Sequence, residues 1–131
     1  MIGLDTNVLL RYFGQDDAQQ SPLADGIFDS LTADDPGWVG LAVILELVWV
    51  MTSKRGAGRS AVADALDRLL MMEAMVVEQA AIVADSVEQF RSGKADFADC
   101  LIAASARAAG CGRTLTFDHI AARDAGMELI R

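Results

Sequence analysis

Met1-Ile2-Gly3-Leu4-Asp5-Thr6-Asn7-Val8-Leu9-Leu10 opens the chain, and its reading decides the fold. A short apolar run ends on a carboxylate, and a helical pattern starts at once. The pattern predicts a buried strand over Ile2 to Asp5 and a helix over Thr6 to Phe13 that stops at Gly14. The arrangement returns at Leu115-Thr116-Phe117-Asp118, where a strand over 114–117 runs into a short helix over 119–125. A strand that ends in Asp just before a helix puts negative charge at the carboxyl edge of a sheet. Ligands of open α/β sheets bind at that edge.

Between these two segments, short apolar runs alternate with helical patterns. A polar loop over 15–21 leads to Pro22, which suits the first position of a helix running to about Leu31. Asp34-Asp35-Pro36-Gly37 is a turn, followed by a strand over 38–40 and a strongly apolar helix over 41–53. Gly56-Ala57-Gly58 breaks that helix, and Ser60 caps the next, over 61–72. A strand over 74–77, a helix over 79–91, an Ala-rich helix over 97–109 closed by Gly110, and a last strand over 127–130 complete the order. Alternation of this kind gives a parallel sheet with helices on both faces. No internal repeat, linker or low-complexity stretch interrupts it, so one domain over 1–131 is expected.

Composition narrows the function classes. The chain has 131 residues, 53% of them hydrophobic, which suits one sizeable core and argues against disorder. Net charge is −8, with 19 acids against 11 Lys and Arg. That argues against broad phosphate binding by a basic surface, though not against a nuclease, since a bound divalent cation reverses the local field. The start lacks the basic region of a signal peptide. The longest nearly uncharged run, 37–53, is broken by Glu46 and is too short to span a bilayer. Cys100 and Cys111 show no metal-type pairing, so reduced thiols and a cytoplasmic protein without a membrane partner are expected.

Four acidic positions stand out. Asp5 and Asp118 follow strands. Glu46 lies in Leu41-Ala42-Val43-Ile44-Leu45-Glu46-Leu47-Val48-Trp49-Val50-Met51 with only apolar neighbours. An ionised carboxylate buried without a partner is very costly, which points to a functional role unless Glu46 lies on a narrow exposed stripe paired with Lys54 or water. Asp96 and Asp99 open the helix that begins at Phe97, spaced i, i+3 on one face. Helix capping alone accounts for both, and for Asp5 and Asp118 taken singly. Taken together they read differently. In one parallel sheet, strand ends and helix starts share an edge, which collects Asp5, Asp96, Asp99 and Asp118, with Glu46 leaning back toward it. Clustered carboxylates repel unless a cation neutralises them. Oxygen ligands without His or Cys indicate Mg²⁺ or Mn²⁺ rather than Zn²⁺.

These residues resemble the PIN-domain family, and more narrowly the VapC-type toxin ribonucleases, over nearly the whole chain. Leu4-Asp5-Thr6-Asn7-Val8-Leu9-Leu10-Arg11 is similar to the first motif, Glu46 in its apolar helix to the second, Ala95-Asp96-Phe97-Ala98-Asp99-Cys100-Leu101-Ile102-Ala103 to the third, and Thr116-Phe117-Asp118 with Ala121 to the fourth. The resemblance implies a three-layer α/β/α fold with a parallel five-stranded sheet. It implies an endoribonuclease dependent on Mg²⁺, with Mn²⁺ as a substitute. Asp5, Glu46, Asp99 and Asp118 are its acidic quartet by position. Asp5, Asp99 and Asp118 are the metal ligands, Asp96 is an accessory acid, and Asn7 and Thr116 orient carboxylates. Arg11, Lys54, Arg55 and Arg59 are candidate contacts to RNA phosphates, though a solvated loop explains the last three equally well. A cognate antitoxin and a homodimer are the implied partners.

Two other readings compete. An aspartyl-nucleophile phosphatase or phosphotransferase often has Asp-x-Asp after its first strand, whereas the third position here is Asn7. A non-catalytic interaction module would use the acids only as caps. The single histidine, His119, reads as a first-turn helix residue. Met71, Met72, Met75 and Met127 read as core or interface, and Trp38, Trp49 and Phe90 as core.

Overall fold

The five strands make two parallel sheets, one of three strands and one of two. A computed structural model describes residues 1–131. The chain divides into two compact units, Met1–Ala57 with Arg68–Glu78, and Gly58–Asp67 with Gln79–Arg131.

The first unit holds β1 (Ile2–Gly3), β2 (Gly37–Val39) and β3 (Met75–Val77) in that spatial order, with Ile2 opposite Gly37 and Trp38 opposite Val76. β1 is an edge strand: Ile2 and Gly3 are exposed, and burial begins at Leu4. Gly37 is fixed by space. A Cβ there would lie 3.0 Å from side-chain atoms of Leu4, Leu31 and Met75. Helices α1 (Thr6–Gly14), α2 (Gln20–Ser30) and α3 (Leu41–Trp49) pack α1 against both others. α1 ends where Gln15 turns left-handed, at φ 50°. α2 begins two residues before Pro22 because the Asp17 carboxylate accepts from the N–H groups of Gln19 and Gln20, at 3.0 and 2.7 Å. Pro22 still sits in the first turn, where its missing N–H costs nothing. α3 receives its cap from a distance, the Leu41 N–H donating to Glu78 Oε1 at 2.8 Å. It runs into one π-helical turn over Val50–Lys54.

Helix α4 (Arg59–Met71) begins in the second unit, which also holds α5 (Ala80–Ser92), α6 (Phe97–Ala108), β4 (Leu115–Thr116), α7 (His119–Asp124) and β5 (Glu128–Leu129). α5 and α6 form the main helix pair. Val83, Val87 and Phe90 are buried on α5, as are Phe97, Cys100, Ala103 and Ala104 on α6. The rings of Phe90 and Phe97 meet edge to face at 5.7 Å. Small residues on α6, Ala103 and Ala104 among them, lie buried in this pair. β4 and β5 pair in parallel through α7, with Ala121 and Ala125 fully buried beneath the crossover.

The expected five-stranded sheet is therefore corrected to three strands plus two. Every strand is two or three residues long, so each forms only a few ladder bonds. β4 takes the partner that its own short crossover delivers, where loop closure is cheapest. No helix is long and apolar enough to cross a membrane.

Candidate active site

In the second unit, the acids at the starts of α6 and α7 come within electrostatic reach of one another. Asp96 holds the N-cap position of α6 with extended backbone, φ −61° and ψ 148°, yet its side chain makes no cap hydrogen bond. The helix is anchored by its apolar neighbours instead: Ala95, Phe97 and Cys100 are buried. Between these anchors Asp96 is exposed and Asp99 half-buried. Burial raises the Asp99 carboxyl above the usual carboxylate value, and the charges of Asp96 and then Asp118 add to it. A carboxylate in the first turn of a helix ordinarily gains from the dipole. Here burial and like charge outweigh that gain, so capping alone does not describe Asp99.

Asp118 caps α7. Its Oδ1 accepts from the Ala121 N–H at 2.8 Å. Thr116 acts one step removed from the carboxylate, its Oγ1 accepting from the Asp118 N–H at 3.0 Å.

The loop that delivers Asp96 is gripped from both sides. Arg59 donates from Nε and Nη2 to the Phe90 carbonyl, at 3.1 and 2.6 Å, and from Nη2 to the Ala95 carbonyl at 2.7 Å. Its guanidinium lies 3.9 Å from the centre of the Phe90 ring. Asp124 accepts the Lys94 N–H at 2.8 Å and is forked by Arg123. The Arg123 bond, then the Lys94 N–H, lowers the Asp124 carboxyl to about 2. Arg59, one of the candidate RNA contacts, has its Nε and Nη2 donors engaged by these carbonyls. Its donors bond carbonyls that lie 31 and 36 positions away, a separation that no local pattern reveals. Nothing in the local sequence distinguishes Asp124, one acid at the end of a six-residue helix.

The first unit holds Asp5 and Glu46. Asp5 caps α1, its Oδ1 accepting from the Thr6 N–H at 2.7 Å. The hydroxyl of Thr6 is buried without a hydrogen-bond partner. Glu46 is exposed, and so are Ala42, Leu45 and Trp49 on the same face of α3, Trp49 at 55%. The inference from a buried carboxylate is thus corrected. Ile44, Leu47 and Val48 form the buried face, and an exposed stripe exists although it is mostly apolar. Lys54 sits over the Trp49 ring at 5.3 Å rather than pairing with Glu46. Asn7 is exposed and borders a cavity of about 200 Å³ along α1 and α2, together with Arg11. Arg11 donates to Gln20 Oε1 at 2.6 Å, and Arg55 pairs with Asp16 at 3.0 Å. Trp49 and Met71 are surface rather than core residues.

The oxygen donors suit a hard divalent cation. In neither unit do three His, Cys, Asp or Glu side chains come together closely enough to hold one by themselves. Mg²⁺ does not require that, since it is usually held by one or two carboxylates and completed by water and phosphate oxygens. The placement of Asp5 and Asp118 on one sheet edge assumed a single sheet. β1 and β4 belong to different sheets, so Asp5 and Asp118 do not share the edge of one sheet.

Parallel strands, intervening helices and acids at helix starts define a mixed α/β protein. The PIN domain family model matches residues 2–126, and the chain belongs to that family. PIN domains are generally metal-dependent nuclease domains. No curated protein and no solved structure matches the chain.

Proposed function

We propose that the chain is a Mg²⁺-dependent endoribonuclease of the VapC type, the toxin of a toxin–antitoxin pair, acting in the cytoplasm. Asp5, Glu46, Asp99 and Asp118 carry the activity, with Asp96 as accessory acid. One observation supports the reading above the others. Asp99 stands half-buried within reach of Asp96 and Asp118, and Asp96 leaves its helix cap unmade. A plain structural helix start would use Asp96 as its cap and keep like charges apart.

Asp5, Asp99 and Asp118 are the residues that would hold the cation. When bound, the cation supplies a water of lowered pKa and stabilises charge on the phosphate oxygens. The protein contributes orientation. The caps fix one oxygen of Asp5 and one of Asp118, so these side chains present the other in a set direction. Glu46, exposed on α3, is free to position water at the phosphate. Of the proposed phosphate contacts, Arg11 beside Asn7 borders one cavity and Arg55 borders another. The motif order supports the assignment to VapC-type toxins, and with it a cognate antitoxin and a homodimer.

The reading of the acids as caps only has support of its own, because Asp5 and Asp118 do cap. Asp99 separates the two, since its side chain makes no cap. RNA cleavage by the purified chain with Mg²⁺ is expected to fall by about 10²-fold or more in Asp99→Asn. Unchanged cleavage by that variant, or none by the parent chain with either metal, refutes the nuclease reading. A covalent phosphoryl group on Asp5 would indicate the phosphatase instead.

A further inference from the structure

We propose that Arg59 and Asp124 are positioning residues for Asp96 and Asp99, gripping the Gly93–Ala95 loop so that the acids at the start of α6 are held where a divalent cation is bound. The proposal rests on the reading of Asp99 as a metal ligand and names what holds it.

The charges of Asp96 and Asp118 both act against that of Asp99, so something other than their own preference must keep these side chains in place. Asp118 is fixed by its cap. Asp96 has no such bond, and its position follows from the loop before it. Two contacts define that loop. On one side Arg59 bridges the Phe90 carbonyl near the end of α5 and the Ala95 carbonyl immediately before Asp96. Carbonyls in the last turn of a helix lack helical donors, so a guanidinium there satisfies them and meets the negative end of the dipole. Its planar fork reaches two acceptors at once, which a lysine ammonium on a flexible stem does not reproduce. On the other side Asp124 Oδ2 accepts the Lys94 N–H at 2.8 Å, while the Asp124 carbonyl accepts from Gln89 at 3.0 Å. Gly93 permits this approach, since a Cβ there would lie 3.1 Å from Asp124 Cβ.

Asp124 is the last residue of α7, and Asp118 is its cap. One short helix therefore ties Asp118 at its start to the Asp96 loop at its end. Spacing between the two acidic motifs is set by α7 and by the Lys94 bond. Outer residues that orient metal ligands typically change metal affinity by about 10–100-fold when replaced.

The test is Mn²⁺ binding to the full chain by calorimetric titration, at a temperature where each variant is folded. Arg59→Lys keeps the charge and loses the fork. Asp124→Ala and Asp124→Asn remove the same charge, but only Asn retains an acceptor for Lys94. Arg59→Lys and Asp124→Ala are expected to weaken Mn²⁺ binding about tenfold or more, and Asp124→Asn to restore most of it. A role confined to stability lowers the melting temperature without moving the binding midpoint. Wild-type midpoints in Arg59→Lys and Asp124→Ala, with binding lost in Asp99→Asn, overturn the clamp and leave the metal site standing. Wild-type binding in Asp99→Asn removes the metal site, and the clamp with it. Should Arg59→Lys fail to fold, the Asp124 pair decides alone, and equal midpoints in Ala and Asn refute the proposal.

Discussion

Asp99→Asn should reverse its effect on stability when metal is added. Asp96 at the extended N-cap and Asp99 in the first turn are close neighbours, at a spacing on the order of the 5–6 Å between Cβ atoms at i and i+3 on a helix. Two like charges at roughly 6 Å repel by about 0.7 kcal/mol in bulk water and about 3 kcal/mol at an effective dielectric near 20. Asp96 is exposed and Asp99 half-buried, so solvent screening keeps the pair near the lower figure. With a smaller share from Asp118, the total is about 1 kcal/mol against the folded state. The sign follows from the raised Asp99 carboxyl. The penalty is absent below the ordinary carboxylate value and sets in as pH rises through the raised one, so at neutral pH it acts in full. In EDTA the Asn variant should therefore melt about 4 °C above the parent chain. A cation that binds only the folded state stabilises it by about 2.7 kcal/mol at a hundredfold excess over its dissociation constant. For a chain of this length that is a rise of about 10 °C in the parent, with much less in the variant. Scanning calorimetry in EDTA and in Mn²⁺ reads both. The reasoning is refuted if the variant melts at or below the parent in EDTA, or if metal raises the two equally.

Three further outcomes are expected. Glu46→Gln should change stability in urea by no more than about 0.5 kcal/mol, because the side chain is exposed, while RNA cleavage falls; a large loss of stability would contradict the exposed face of α3. Gly37→Ala should cost about 1–3 kcal/mol in urea denaturation by overpacking, since its Cβ meets three side chains at 3.0 Å, whereas Gly3→Ala, with nothing within 4 Å, should be near neutral. Asp124 is held at about 2, so its stabilising contribution is present above the ordinary carboxylate value and lost as pH falls through about 2. Acid unfolding curves of the parent chain and Asp124→Ala should accordingly converge toward the acid end.

The sequence was informative where chain geometry is punctuated locally. Asp5 before Thr6 and Asp118 before His119 each mark a helix start by an identifiable cap, and the elements begin there. Three things were not legible, for separate reasons. Sheet pairing was hidden because strands as short as Leu115–Thr116 carry too few alternating residues to specify a partner. The exposure of Glu46 was hidden because Leu45 and Trp49 beside it are apolar yet exposed, which erases the period that a helix face normally shows. The engagement of Arg59 was hidden because its acceptors are main-chain carbonyls, and any residue type supplies those.

Capping and metal binding are not exclusive explanations of the acids, because a cap occupies only one carboxylate oxygen. A cap at Asp5 or Asp118 uses Oδ1 and fixes the rotamer, and a carboxylate so fixed loses less freedom when its other oxygen meets a ligand. Ligands need such support from the groups around them if they are to be held in productive geometry. Asp96 and Asp99 lack that support from their own helix, and the two groups that grip the preceding loop, Arg59 and Asp124, lie where it must come from. A helix start that caps itself needs no outside clamp; the start of α6, which does not, is the one that has two.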